Sequence, residues 1–151
     1  INLTNVTSLH FPEETDYYPI EMINLLVKHL PKLTSLTLPY RYYKCLQKQL
    51  ISSSLKSLTL TFAYYFSSEF QQRTTMQDEL TTNQILTHEL ILRLVLTIPS
   101  TLSYLQVLTL IVRHFDDIDN ELCPWLETNF SIERSISYDF LIHDNILRFF
   151  F

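Results

Sequence analysis

The amino-acid sequence predicts a mixed α/β fold, a short irregular solenoid with parallel strands on one side and helices on the other. A six-residue pattern that is typical of a strand, with apolar residues at its first, fourth and sixth positions, occurs four times. Segments with helical periodicity separate the four occurrences. With 151 residues, 46% of them hydrophobic, the chain is long enough for one core, so we expect residues 1–151 to form one domain. The four patterns are Val6, Leu9 and Phe11; Leu33, Leu36 and Leu38; Leu55, Leu58 and Leu60; and Leu105, Leu108 and Leu110.

The spacing of these patterns sets the expected order of strands. They begin at positions 6, 33, 55 and 105, so the spacings are 27, 22 and 50 residues. Because 50 is two unit lengths of 25, region 61–104 is expected to hold a degenerate repeat or an insertion. A fifth unit at Ile132 is irregular, since serines occupy its apolar positions while Ile136, Tyr138 and Phe140 alternate in the opposite register.

Three helices are expected between the strands. The first covers residues 19–30, where apolar residues recur at three- and four-residue spacing between two prolines. The second covers residues 42–51, ends in a serine run and is expected to pack outside the strands. The third runs from about residue 84 to 96 and ends before Pro99, after a polar surface loop at residues 67–83.

The four patterns resemble leucine-rich repeats, whose consensus L-x-x-L-x-L-x-x-N/C-x-L places three leucines on or beside a strand. The last consensus apolar position follows the third leucine by five residues, and Tyr43, Tyr65 and Phe115 occupy it in three units. The resemblance implies a leucine-rich-repeat solenoid. A regular horseshoe is not expected, because the consensus Asn or Cys is replaced by Glu14, Arg41, Ala63 and Arg113.

Segments 33–38 and 55–60 also resemble the repeat tails of F-box proteins, which deliver substrates to cullin-type ubiquitin ligases. No segment resembles the F-box itself, so an adaptor role would require a region outside this chain. The resemblance implies a noncatalytic protein–protein interaction module, in which another protein is the partner and no cofactor is needed. Such an adaptor would be cytoplasmic or nuclear.

Composition argues against several other classes of protein. The chain has 11 Lys and Arg against 16 Asp and Glu, a net charge of −5, so neither nucleic acid nor a membrane surface is an expected partner. Glycine is absent, which excludes glycine-rich phosphate loops and dinucleotide fingerprints. Cys45 and Cys123 are too few for a disulfide framework, and Cys45 is expected to be buried. The chain begins with Ile1, which suggests a piece of a longer protein.

Two segments bring together residues that could bind a metal ion. His88 and Glu89 begin a near match to the H-E-x-x-H zinc helix, but Leu92 replaces the second histidine. An acidic cluster at residues 116–121 lies beside His114 and offers oxygen ligands, although it does not match a calcium loop. We expect no enzyme and no metal site. The alternatives are a metal-assisted hydrolase that uses His114 and nearby carboxylates, or a structural fragment without independent activity.

Strand alternation predicts that one side of the sheet is buried, including Leu36, Leu38, Leu58 and Leu60, and that the other side is a hydroxyl-rich surface. This surface is either a consequence of the strand propensity of threonine or a binding face of the kind that solenoids use. Its two predicted columns are Ser8, Ser35, Ser57 and Val107, and His10, Thr37, Thr59 and Thr109.

One edge of the predicted solenoid is the expected partner-contact surface. It consists of Arg41, Tyr42, Tyr64, Arg113 and His114. The two tyrosines and the histidine each follow the third leucine of a unit by four residues, beside an apolar anchor, so their side chains are expected to face outward. Tyrosine and arginine are enriched among residues that dominate binding energies. The alternative is that the two tyrosines cover the rim of the core.

The sequence ends in Phe149, Phe150 and Phe151, which is too apolar for a solvated tail. We expect this segment to fold back over the last repeat or to mediate association.

Overall fold

Strands and helices alternate along the chain. The computed structural model describes residues 3–12, 19–51, 53–65, 85–115, 118–130, 136–141 and 144–151, but not the side chains of residues 64, 65, 114, 115 and 118–121. After a short 3-10 helix at Leu3–Asn5, the elements are β1 (Ser8–His10), α1 (Ile20–Lys28), β2 (Ser35–Pro39), α2 (Tyr40–Leu50), β3 (Ser57–Tyr65), β4 (Ile85–Leu86), α3 (His88–Thr101), β5 (Val107–Phe115), α4 (Ile118–Asn129), β6 (Ser137–Leu141) and β7 (Ile146–Phe150).

A mixed, mostly parallel sheet runs in the order β1-β2-β3-β5-β7-β6. The first four strands are parallel, whereas β7 is antiparallel to both β5 and β6. Leu36 pairs with Leu58, and Leu38 pairs with Leu60, so segments 33–38 and 55–60 lie on adjacent parallel strands as the sequence predicts.

The pattern leucines form the floor of the hydrophobic core. Equivalent leucines align across the sheet because the strands pair without a shift in register. The prediction that the central leucines are buried is confirmed, since Leu36, Leu38, Leu58 and Leu60 are 0% exposed.

All four described helices cover this leucine side of the sheet. The ring of Tyr40, the first residue of α2, lies 5.1 Å from that of Phe62, which has the same strand parity as Leu58 and Leu60. Phe130, directly after α4, lies 5.1 Å from Phe149, whose register partner is Leu108. Helix α3 contacts α4 through stacked His88 and Trp125, and α1 packs beside α2 within the same core. The opposite side of the sheet is therefore not covered by any described helix.

Two helices begin and end close to the expected bounds, but α3 does not. It extends to Thr101 and contains Pro99, so the prediction that it ends before that proline is wrong. Pro99 cannot donate to the carbonyl four residues earlier, which removes one helical hydrogen bond. The last turn still forms because Ile98 is buried and the Leu102 amide donates to the Ile98 carbonyl.

Region 61–104 does not place another strand between β3 and β5. These two strands pair directly along residues 57–65 and 107–115, so a repeat strand between them is excluded. Strand β4 pairs with the end of β3 at Tyr64 and Tyr65. Since β5 occupies one edge there, β4 lies on the other edge, beyond the end of β2. The expected loop at 67–83 lies outside the described residues.

An antiparallel hairpin, β6–β7, replaces the irregular fifth unit. Ile136, Tyr138 and Phe140 pack against the core, in agreement with the alternative register of the sequence. The C-terminal aromatic segment folds back, because β7 pairs with β5 and Phe149 is completely buried. None of the described helices is long and apolar enough to cross a membrane.

Candidate interaction surface

The side of the sheet that no described helix covers, which we call the open face, carries three rows of side chains. Both predicted columns lie here, because their residues pair across the parallel strands on the side opposite the leucines. The hairpin extends each row by two residues. The rows are Ser8, Ser35, Ser57, Val107, Phe150 and Ser137; His10, Thr37, Thr59, Thr109, Arg148 and Asp139; and Pro39, Thr61, Ile111, Ile146 and Leu141.

The half of the open face on β1, β2 and β3 carries hydroxyl side chains at most positions, with His10 on the edge strand. Its central residues, Ser35, Thr37, Ser57 and Thr59, are partly exposed. Neighbouring strands lie ~4.8 Å apart, so the side-chain hydroxyls repeat at about that distance along each row. A hydroxyl can donate or accept, which suits this half to hydrogen bonds with the polar groups of a polypeptide.

The half of the open face on β5, β7 and β6 is apolar around one ion pair. Val107, Ile111, Ile146 and Phe150 are partly exposed, and Leu141 at the rim is exposed. These side chains form an apolar patch because β7 pairs antiparallel to β5 in a register that puts residues 146 and 150 on this side. This patch could not be predicted from the sequence, since nearly every residue from 146 to 150 is apolar and the segment shows no clean alternation.

Arg148 and Asp139 form the ion pair of the apolar patch. Arg148 Nε donates to Asp139 Oδ1 at 3.0 Å, and Arg148 Nη2 donates to Asp139 Oδ2 at 2.8 Å. These hydrogen bonds raise the pKa of Arg148 above its usual value, so the guanidinium stays charged. The two side chains are 38% and 40% exposed, which leaves them accessible to a partner.

The partner-contact edge expected from the sequence is not assembled as predicted. Tyr42 is only 5% exposed, so the prediction that it faces outward is wrong. The reason is that β2 ends at Pro39 and α2 begins at the next residue, so residue 42 follows helical rather than strand geometry. Arg41 is partly exposed, with its guanidinium carbon 4.8 Å from the centre of the Tyr42 ring.

The other three residues of that edge lie on β3 and β5. Arg113 is exposed and has the strand parity of the open face. The backbones of Tyr64 and His114 pair directly, but their side chains lie outside the described residues. A contact role for Arg41, Tyr64, Arg113 and His114 therefore stays a prediction.

Buried tyrosines beside Tyr42 belong to the core. Tyr40 stacks on Phe62, and its ring centre lies 6.2 Å from that of Tyr43. Burial raises the pKa of Tyr43 to about 12 and also raises the pKa of Tyr40, against the opposing charge of Arg93. Both phenols are therefore neutral at physiological pH, and their rings stabilise the contact between α2 and the sheet.

The residues with potential catalytic chemistry do not form a described site. His88 stacks on Trp125 with ring centres 4.6 Å apart, which accounts for its position at the start of α3. Among the described residues no three His, Cys, Asp or Glu side chains lie close enough to hold a metal ion. The side chains of His114 and of the acidic cluster lie outside the described residues, so a hydrolase that uses them is untested.

Cys45 is exposed, so the expectation that it is buried is wrong. Helix α2 turns Tyr42, Tyr43 and Leu46 toward the core, and position 45 lies on the opposite side of the helix. The Cys45 thiol is 3.8 Å from the Arg41 carbonyl oxygen.

No protein-family model matches this chain, and no curated protein or solved structure is significantly similar to it. A function for this chain is therefore inferred from its own surfaces.

Proposed function

We propose that this chain is a noncatalytic interaction module whose open face binds a segment of another protein. The observation that carries the proposal is a mostly parallel sheet whose described helices all lie on one side. Parallel sheets are usually covered on both sides, because the helices that connect their strands pack on both faces. Here the second side combines hydroxyls with an apolar patch, which suits a surface that a partner covers.

The proposal includes a leucine-rich-repeat type of solenoid. Its support is that β1, β2, β3 and β5 are parallel, align their leucines in the same rows and have all described helices on one side. Solenoids of this kind present their strands as a binding surface. Substrate recognition for a ubiquitin ligase would be one use of such a module, with the F-box supplied from outside residues 1–151.

The apolar patch is the expected centre of the binding surface. Ile111, Ile146 and Phe150 surround a charged Arg148 that Asp139 holds in place by two hydrogen bonds. Aromatic and arginine side chains dominate many interfaces, because they bury a large area while their polar groups stay paired. The hydroxyl half would then align the bound segment by hydrogen bonds.

The size of the open face favours a short segment over a second copy of the chain. Six strands at ~4.8 Å spacing and five residues at ~3.3 Å give a face of roughly 24 by 16 Å, or about 400 Å². A stable interface buries about 800 Å² on each partner, so a homodimer through this face alone would be weak. An extended segment of about seven residues would cross all six strands.

The test compares two matched double variants as immobilised baits. Ile146→Thr with Phe150→Thr removes the apolar patch but keeps strand-forming residues. Ile51→Thr with Leu96→Thr removes two exposed apolar residues that are not on the open face, and serves as the control. Proteins captured from a source extract are identified, produced in pure form and titrated against all three baits.

We expect a direct partner to bind the wild type and the control equally and the patch variant at least about tenfold more weakly, a loss of about 1.4 kcal/mol. Melting temperatures of the three baits establish that each is folded. Equal affinity of every direct partner for the patch variant and the wild type would refute the proposal.

A further inference from the structure

A cavity of about 670 Å³ lies between α1 and the end of α2, on the helical side of the molecule. Its volume falls within the range of about 300–1,000 Å³ that is common for small-molecule sites. The open face lies on the other side of the sheet, so this cavity has no part in the function proposed above.

The walls of the cavity combine an apolar floor with a few polar groups. Val27, Leu30 and Leu33 are buried and form the floor. On α1, Glu21, Asn24 and Lys28 lie three and four residues apart, so they share one side of the helix and line the cavity together. An apolar floor with convergent polar groups is the usual composition of a small-molecule site.

Two oxygen atoms in the wall can still accept a hydrogen bond. The Oδ1 atom of Asn24 is buried and has no hydrogen-bond partner among the described residues. The Ser53 hydroxyl donates to the Leu50 carbonyl at 2.6 Å, so toward any other group it can only accept. Asn24 lines the cavity, so its side-chain amide lies within reach of a bound ligand. The wall therefore matches a ligand that brings N–H donors.

The charges of the wall favour a neutral ligand. Glu21 and Lys28 are exposed at the mouth of the cavity and carry opposite charges. Their effects on a ligand's charge oppose each other, so neither a simple cation nor a simple anion is selected.

We propose that this cavity binds a neutral amphipathic small molecule, with an apolar body against Val27, Leu30 and Leu33 and an N–H-bearing head group at Asn24 and Ser53. A primary amide on a short alkyl chain is the simplest molecule of this class.

The test uses hexanamide as the probe, with N,N-dimethylhexanamide and hexanoate as comparisons. The dimethyl compound keeps the carbonyl but has no N–H, and hexanoate replaces the neutral head group by an anion. Each is titrated into ¹⁵N-labelled protein, and chemical shifts are followed for residues 21–33 and 49–54. We expect saturable shifts in these two segments with hexanamide, and roughly three- to tenfold weaker binding of the two comparisons, the loss that corresponds to one hydrogen bond.

Three variants locate the site. Asn24→Leu removes the amide at similar volume and should weaken hexanamide binding roughly three- to tenfold, to the level of the dimethyl compound. Ser54→Trp, at an exposed position in the wall, should block the cavity without disturbing the core. Met22→Trp, on the same helix but not in the wall, is the control and should bind as the wild type does.

The proposal is overturned if hexanamide causes no saturable shifts in these segments, if it binds no better than N,N-dimethylhexanamide, or if Ser54→Trp binds as the wild type does. Because Ser54 lies at the surface, this last result stands even if Asn24→Leu fails to fold. The bait experiment on the open face is independent of all three outcomes.

Discussion

Replacement of Leu58 by alanine tests the repeat core most directly. Leu58 is 0% exposed and lies between Leu36 on β2 and Leu108 on β5, so strands enclose it on both sides. Loss of three carbon atoms costs about 2.4 kcal/mol of transfer free energy, at ~0.8 kcal/mol for each. A residual cavity adds up to about 2 kcal/mol, since paired strands on both sides limit collapse. We expect the free energy of unfolding to fall by about 4 kcal/mol.

The matched control for this change is Leu9→Ala, in the same row of the sheet but on edge strand β1. Leu9 is only partly buried, so the same substitution should cost roughly 1 kcal/mol. Urea unfolding, followed by circular dichroism and fluorescence, measures both values and shows whether the slope changes. Equal costs at the two positions, or a cost below about 1 kcal/mol at Leu58, would refute the core assignment.

Three further perturbations follow from individual side chains. The pKa of Tyr43 is raised from 10.0 to about 12, so the folded state holds the phenol proton more tightly than the unfolded state does. The stability that this difference contributes is fully present below pH 10 and should be lost as the pH rises toward 12. The loss is on the order of 3 kcal/mol. Tyr43→Phe should flatten this part of the stability curve, whereas an unchanged curve would contradict the assignment. Asp139→Asn should change the free energy of unfolding by less than about 1 kcal/mol, because the pair with Arg148 is partly exposed; a larger loss in thermal denaturation would show that the pair is structural. Thr87→Ala should lower the free energy of unfolding in urea by about 1 kcal/mol, because the Thr87 hydroxyl accepts a hydrogen bond from the Leu90 amide at the start of α3. An unchanged free energy of unfolding would mean that this cap is dispensable.

The sequence predicted those parts of the fold that depend on local periodicity. Leucines at positions 36, 38, 58 and 60 alternate with Ser and Thr, a pattern that one-sided burial of a strand requires, and their burial is confirmed. Helix α1 was predictable for the same reason, since its apolar stripe has helical spacing.

Features that depend on tertiary context could not be predicted in this way. The pairing of β7 with β5 joins residues distant in sequence, and the run of apolar residues at 146–150 is compatible with either face. Tyr42 was misplaced because the chain changes from strand to helix between Pro39 and Tyr40, without a polar cap to mark the change. Burial of Ile98 outweighs the cost of Pro99 in α3, which local propensity does not reveal.

One half of the open face could be predicted from local periodicity, and the other half could not. Its hydroxyl half follows from alternation along β2 and β3, so it could be predicted from the sequence. Its apolar half requires the antiparallel register between β5 and β7, which places Ile146 beside Ile111 and Phe150 beside Val107.

The antiparallel hairpin determines at which end of the sheet further strand–helix units can be added. A further strand–helix unit would join by a right-handed crossover to a parallel strand that has a free edge. Strand β5 has no free edge, because β3 pairs with it on one side and β7 on the other. At the other end of the sheet, β2 is the one strand among the described residues that pairs with β1. An engineered duplicate of residues 33–54 would therefore be accepted beside β1 or β2, where each copy widens the open face by one strand, about 4.8 Å. The same copy inserted after β5 would have to displace the hairpin. The length of the segment that the open face can bind would therefore be changed by adding strands at the β1 end of the sheet.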